Sequence, residues 1–336
     1  METNPQLSNA ANQALPYQND PRLSVATKEF LSLLNAPGGS PLESLGVLEA
    51  REVLVGAQSS VEVDLSGIEE SEKIIQSEGY SVKLNIVRPA GVSGVLPVFI
   101  FIHGGGWILG DYPTHKRMVR DLAVLSGCAG VFVNYTPTPD QVFPTQINEI
   151  YAGVKWVAEH GSEILVDGTN MAIVGNSVGG NMTAVTCLMA KKNNGPKINL
   201  QIMMWPIVDS DFTTESYKSF GQERFLTTTM MKWMYDMYIP DADKRKDIYA
   251  SPLQASLEEL KDLPPALIQV AENDILRDEG EAYGRKLDQA GVPVTTIRYN
   301  GAIHDFGLLN GLAHTPQVKS LFLHAAAELK KYLGTA

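Results

Sequence analysis

From about residue 80 onward, short apolar runs alternate with stretches whose apolar residues recur every three or four positions. YSVKLNIV alternates apolar and polar positions, which predicts a half-exposed strand. VLPVFIFIH, CAGVFVNY, MAIVG, LQIMMW and ALIQVA are continuous apolar runs, as expected of strands buried on both faces. Between them HKRMVRDLAVLS, QINEIYAGVKWVAEHG, GGNMTAVTCLMAKKN and EGEAYGRKLDQAG carry helical spacing. Gly291 stops the last of these helices, and VPVTTIRYN resumes strand character. The repeated order predicts the α/β class, with a mostly parallel, doubly wound sheet.

Two stretches break the alternation. Residues 1–50 contain a helical pattern, VATKEFLSLLN, ahead of the first expected strand. Residues 207–250 insert the aromatic- and Met-rich segment FLTTTMMKWMYDMYIP after a strand. In an open sheet such an insertion starts from the ligand-binding edge. The Met and aromatic stripe predicts the core of a small helical unit, and a unit packed on the sheet can also roof a pocket. The expected division is an N-terminal cap segment (1–50), a main domain (51–206 and 251–336) and a cap insertion (207–250).

Charge and cysteine usage narrow the class. Lys and Arg number 27 against 38 Asp and Glu, a net charge of -11, which disfavours nucleic acid and anionic membrane surfaces as partners. Cys128 and Cys187 supply neither a disulfide framework nor a four-ligand zinc site, and buried free thiols are expected. METNPQLSNAANQALPYQND lacks the basic start and apolar run of a leader. No stretch has the ~18 consecutive apolar residues of a membrane span. A cytoplasmic protein is the expectation.

The chemistry begins at VGNSVGGN, residues 174–181, where Ser177 sits between a strand and a helix. A tight turn there strains the serine backbone, flanking glycines relieve the crowding, and the helix N-terminus faces the hydroxyl. Such a serine needs a base. His304, in the loop NGAIHDF after the last expected strand, falls at the same sheet edge. His115, His160, His314 and His324 sit in helical or polar surface patterns, and His103 braces a glycine loop. Asp274 ends ALIQVAEN at that edge and is the carboxylate expected to orient the base. Asp278 and Glu279 read as first-turn helix residues, and Glu272 lies within the strand.

HGGGW at 103–107 is the more specific signal, expected by chance only ~0.004 times in such a chain. Its glycines let several N–H groups converge, as a developing oxyanion requires. Gly105 and Gly106 are the expected donors, with Val178 as third and Gly104 as turn former. A phosphate loop would need a G-K-[ST] ending, which is missing.

HGGGW, GNSVGGN, ENDILRDEG and IHDF, in this order, resemble the hormone-sensitive-lipase-like (bacterial family IV) esterases of the α/β-hydrolase superfamily, over about residues 80–330. The resemblance implies an α/β-hydrolase fold with a helical cap. It implies a triad of Ser177, Asp274 and His304, an oxyanion hole at the HGGG glycines, and no metal or cofactor. Small esters with short- to medium-chain acyl groups are the substrates it implies. Asn176 and Val178 depart from the family's G-D-S-A-G-G, Asn134 and Thr136 from D-Y-R-L-A-P-E, Ile275 from a frequent proline and Asp305 from a common glycine. These departures bear on substrate range. Trp107, Trp205, Phe212 and Phe306 flank catalytic loops or the cap and are candidate pocket residues.

Two other readings stay open: an amidase or N-deacetylase with the same triad, and a ligand receptor on a hydrolase fold. The sequon Asn181-Met182-Thr183 lies in the helix behind the serine and is discounted. An exposed final strand, VTTIRYN, would permit a homodimer through edge pairing.

Overall fold

A computed structural model describes residues 15–335. Residues 1–14, which open the expected cap segment and most of the stretch read for a leader, lie outside the described residues, as does Ala336. The frame is an 8-stranded sheet in the order β1-β2-β4-β3-β5-β6-β7-β8. β1 (Ile68–Ser77) and β2 (Tyr80–Pro89) form a hairpin through Glu78 and Gly79, both at positive φ (51° and 83°). That handedness matches the twist of paired strands. β2 runs antiparallel to β4 (Ala129–Asn134). β3 (Leu96–Ile102), β5 (Val166–Asn176), β6 (Leu200–Met204), β7 (Ala266–Asn273) and β8 (Val294–Ile303) complete a parallel set with β4.

Period-two geometry sends successive side chains to opposite faces. Val98, Ile100 and Ile102 of β3 join one core, and Phe99 and Phe101 join the other. α3 (Tyr112–Ser126) and α10 (Pro316–Leu333) cover the phenylalanine face. α4 (Thr145–His160), α5 (Val178–Lys192) and α9 (Arg277–Gln289) cover the other, with the short α8 (Leu257–Leu260) leading into β7. Helices on both faces are why the central strands are predominantly apolar. α3 starts at an Asp111 capping box and stops at Gly127, φ 73°.

The chain winds from β3 to β4 on one side and then returns to β5 on the other. The crevice at the carboxyl ends of β3 and β5 is therefore the switch point where open α/β sheets bind ligands. It is roofed by α1 (Val25–Leu34) and α2 (Val47–Ser59) from the N-terminal side, and from the insertion by α7 (Thr228–Tyr238) and the segment that joins it to the short α6 (Glu215–Phe220). The expected boundary at residue 50 falls inside α2, so the N-terminal roof runs on to Ser59. Among the described residues no helix is long and apolar enough to cross a membrane.

Candidate active site

Ser177 occupies the turn between β5 and α5 with φ 54° and ψ -120°, a conformation that costs of order 1–3 kcal/mol. The surroundings enforce it. The Ser177 N–H donates to the Met204 carbonyl at 2.9 Å, and its carbonyl accepts from Asn181 and Ile207. A Cβ on Gly179 would run into the carbonyl of Ile102, so the helix can approach β3 this closely only with glycine there.

His304 follows β8, and Asp274 follows β7. His304 Nδ1 lies 2.7 Å from Asp274 Oδ2, and Nε2 lies 3.0 Å from Ser177 Oγ. All three side chains are buried, and Ser177 and His304 open onto the floor of a cavity of about 550 Å³. The second Asp274 oxygen accepts the Leu276 N–H at 2.9 Å. Burial is the largest influence on His304 and pushes its pKa down, but the carboxylates of Asp274 and Asp305 outweigh it. The net displacement is upward. An imidazole so placed is a stronger base, and the imidazolium it becomes is stabilised.

Gly105 and Gly106 stand at positive φ (102° and 63°) beside the serine. A Cβ on Gly106 would strike the Met234 sulfur on α7. Among the described residues the N–H groups of Gly105 and Gly106 have no acceptor within the chain. Val178 opens α5, where the N–H lacks an intrahelical partner. Gly104 is fixed by its N–H, which donates to Asn176 Oδ1 at 3.0 Å.

Two departures from the family pattern meet here. Asn176 Nδ2 donates to Asp305 Oδ1 at 3.3 Å, and the Trp205 indole N–H donates to the same oxygen at 2.7 Å. Asp305 Oδ2 is 3.9 Å from His304 Nε2. Burial, the dominant effect, raises the Asp305 pKa, against the pull of His304, Trp205 and Asn176. An acid at 176 would face this carboxylate; the amide can accept from Gly104 and donate to Asp305. At the third departure, Thr136 donates to Glu149 through both its N–H (2.6 Å) and its hydroxyl (2.8 Å).

The aromatic pocket candidates are placed differently from expectation. Trp107 stacks on Tyr238 at 4.1 Å, Trp205 and Phe306 pack together at 5.0 Å, and Phe212 lies against Tyr217 and Tyr235. Trp107 is buried against α7, Trp205 and Phe306 are buried against each other, Phe212 is partly covered, and none of the four lies in the cavity wall. The apolar part of the wall is instead built from leucine, methionine and two other aromatic residues, among them Phe30, Leu54, Leu109, Phe225, Met230 and Met234. The Met stripe of the insertion was the available signal: it both packs the roof and faces the cavity.

His103 braces its loop as expected, with Nδ1 2.8 Å from the Gly104 carbonyl and the ring stacked on Tyr135. Burial holds its pKa down to about 4, so it is neutral in the physiological range. His115 is fully buried against His103, Phe101 and Phe132 rather than at the surface. Glu279 does more than complement a helix dipole: it is buried and accepts the Val208 and Asp209 N–H groups. Glu272 accepts the Gly301 N–H at 2.8 Å, and Asp278 the Ser216 N–H at 2.8 Å; neither takes the place of Asp274 beside His304. Asn181 is buried and donates to the Ala250 carbonyl, which leaves the sequon inaccessible in the fold.

The sequence profile of the alpha/beta hydrolase fold family matches residues 99–308. A thermostable esterase of Pseudomonas putida of known structure is 57% identical, with 94% of this chain and 99% of that chain covered and a TM-score of 0.93. The arylesterase of Saccharolobus solfataricus is 34% identical over 235 residues, 69% of this chain and 75% of that protein. Carboxylesterase NlhH of Mycobacterium tuberculosis is 30% identical over 264 residues, 78% of this chain and 82% of that protein. With the fold, the glycine loop and the serine turn in the same order, the chain belongs to the hormone-sensitive-lipase-like group of the α/β-hydrolase superfamily.

Proposed function

We infer that this chain is a serine carboxylic ester hydrolase acting on small esters with short- to medium-chain acyl groups. The observation that carries the reading is the continuous contact from Asp274 Oδ2 through His304 to Ser177 Oγ, at 2.7 and 3.0 Å, on the floor of an apolar cavity. His304 Nε2 takes the proton as Ser177 Oγ attacks the ester carbonyl carbon, and Asp274 holds the Nδ1 proton in place. The carbonyl oxygen becomes an oxyanion met by the N–H groups of Gly105, Gly106 and Val178; each such donor contributes roughly 3–4 kcal/mol. His304 then protonates the departing alkoxide, leaving Ser177 acylated. Water, deprotonated by His304, attacks the acyl carbon, and Ser177 leaves with the proton.

The cap lines the cavity of about 550 Å³ with mostly apolar side chains, which supports acyl groups of limited length. Cys128 and Cys187 are both free and buried, which supports a cytoplasmic setting. Among the described residues the outer edge of β8 has no neighbouring strand, and Leu23 bridges to it at Gly301. That edge supports a homodimer, which sedimentation velocity tests. The function is tested by labelling with a fluorophosphonate and by turnover of aryl esters. Wild type labels and turns over, Ser177→Ala does neither, and labelling that survives in Ser177→Ala would overturn the assignment.

A further inference from the structure

The cavity wall contains a segment, residues 221–227, with an unusual build. Gly221, Gln222, Glu223, Phe225, Leu226 and Thr227 all border the cavity, whereas Arg224 turns away from it. Glu223 and Phe225, on either side of Arg224, hold positive φ (58° and 74°). Two strained residues so close together persist only where the surroundings over-determine them.

The determinant is a buried ion pair. The Arg224 side chain is 2% exposed and that of Asp20 is 0%, with Nη2 2.9 Å from Asp20 Oδ2. The same nitrogen donates to the Leu15 carbonyl at 2.7 Å. Asp20 also accepts from the Arg22 backbone N–H and from Nε and Nη2 of its guanidinium, at 3.0, 2.9 and 2.8 Å. Burial pushes the Asp20 carboxyl upward, yet the bonds from Arg22 and Arg224 hold it down to about 2. It is ionised at neutral pH.

The segment that carries Asp20 is anchored at its other end to the reacting groups. Asn273, adjacent to Asp274, donates to the Arg22 carbonyl at 3.1 Å. Ser24 N–H and the Thr27 hydroxyl both donate to the carbonyl of Gly301, which precedes His304 by three residues. Phe30 of α1 then meets Phe225 across the cavity at 6.5 Å between ring centroids. Residues 20–30 thus bind the wall to the loops of Asp274 and His304.

We propose that Asp20, through its buried pair with Arg224, is a positioning residue for substrate size: it fixes the wall at 221–227 at a set distance from Ser177. The proposal rests on the esterase reading for its kinetic arm. Short acyl groups touch the triad and oxyanion donors and scarcely reach this wall; longer ones pack on it.

The test compares aryl acetate, butyrate and hexanoate. Each methylene in a fitted apolar pocket is worth roughly tenfold or more in kcat/KM. Asp20→Asn alone would strand a buried guanidinium, so the variant is Asp20→Asn with Arg224→Met, which removes both charges. Expected is a folded protein with kcat on the acetate close to wild type, a raised KM for the hexanoate, and a gain per methylene reduced at least about threefold, a sizeable share of that methylene's worth. Hydrogen exchange at 221–227 is expected to quicken. A folded variant with an unchanged chain-length profile and unchanged exchange overturns the proposal, as does an equal loss on all three esters. If the double variant does not fold, Arg224→Lys, which keeps the charge and shortens its reach, gives the same reading. A shallower profile supports the proposal and an unchanged one overturns it. If wild type hydrolyses none of the esters, the proposed function fails separately, and exchange at 221–227 alone decides the role of Asp20.

Discussion

Replacing Asp274 with Asn tests the relay at the point where its geometry is most constrained. The side chain is wholly buried and its two oxygens have separate duties: Oδ1 accepts from Leu276 N–H at 2.9 Å and Oδ2 faces His304 Nδ1 at 2.7 Å. An amide is isosteric, and one orientation keeps Leu276 satisfied by turning its oxygen there. Its NH₂ then points at Nδ1, which has to become an acceptor, so the ring proton moves to Nε2. The opposite orientation sets two donors against each other, at a cost of about 1–3 kcal/mol for an unmet buried group. Asp305 Oδ2, 3.9 Å from Nε2, further favours a proton on that nitrogen. Nε2 then donates toward Ser177 Oγ when it is required to accept. Loss of the correct tautomer in a serine triad costs about 10⁴ in kcat, equivalent to roughly 5.4 kcal/mol of activation free energy. KM should change little, because Asp274 does not border the cavity. The assay is steady-state and single-turnover hydrolysis of an aryl acetate near neutral pH. A kcat within tenfold of wild type, in a variant that melts normally, would refute the tautomer argument.

Further outcomes follow from neighbouring contacts. Asp305→Asn removes one of the carboxylates that raise the His304 pKa; since activity needs neutral His304, the acid limb of kcat/KM should move to lower pH. The same sign applies to stability: a raised folded pKa stabilises below the unfolded value and is lost as pH rises through the folded one. The pH-rate profile of the variant checks the direction. Asn176→Asp sets a carboxylate against Asp305 across the present 3.3 Å contact and should destabilise the fold by about 1–3 kcal/mol in urea unfolding; adding Asp305→Gly should restore most of it. Gly106→Ala drives a methyl into Met234 and strains a left-handed residue, so kcat should fall about 10²-fold as an oxyanion donor shifts. Met234→Ala in the same chain should recover part of that loss.

The frame was legible because burial on both faces leaves an unambiguous mark. β3, β4, β6 and β7 follow the apolar runs to within a residue or two, β5 contains MAIVG but starts five residues earlier, in the polar stretch VDGTN, and the helices between them begin and end within a few residues of the periodic stretches. β1 was not legible. IEESEKIIQS lies at the outer edge of the sheet with mostly exposed positions, so its Glu and Lys residues meet water and no alternation is imposed. α2 escaped for a related reason: Leu48 and Val53 are exposed while Leu54 is buried, so its pattern points to no single face. An element that roofs a cavity has two apolar sides, one packed and one open, and periodicity alone does not separate them.

At the site, the groups that the sequence could single out are those whose local chain chemistry is extreme. A serine at positive φ needs glycines beside it, and converging N–H groups need a glycine run. The aromatic pocket candidates had no such constraint: nearness in sequence to a catalytic loop says nothing about the side of the backbone from which a ring emerges. Trp205 illustrates this, since its φ of 38° and its bond to Asp305 carry the indole under the site instead of into the cavity. Asn176 and Asp305 carry the point furthest. Read separately, 129 residues apart, each is an unexplained departure from a familiar motif. Together they are one change, because an amide beside the serine can brace Gly104 and still receive a carboxylate that an acid there would repel. The charge thereby admitted next to His304 Nε2 acts on the base itself. A pair of substitutions that looks peripheral in the sequence therefore bears on proton transfer through the charge it sets beside His304.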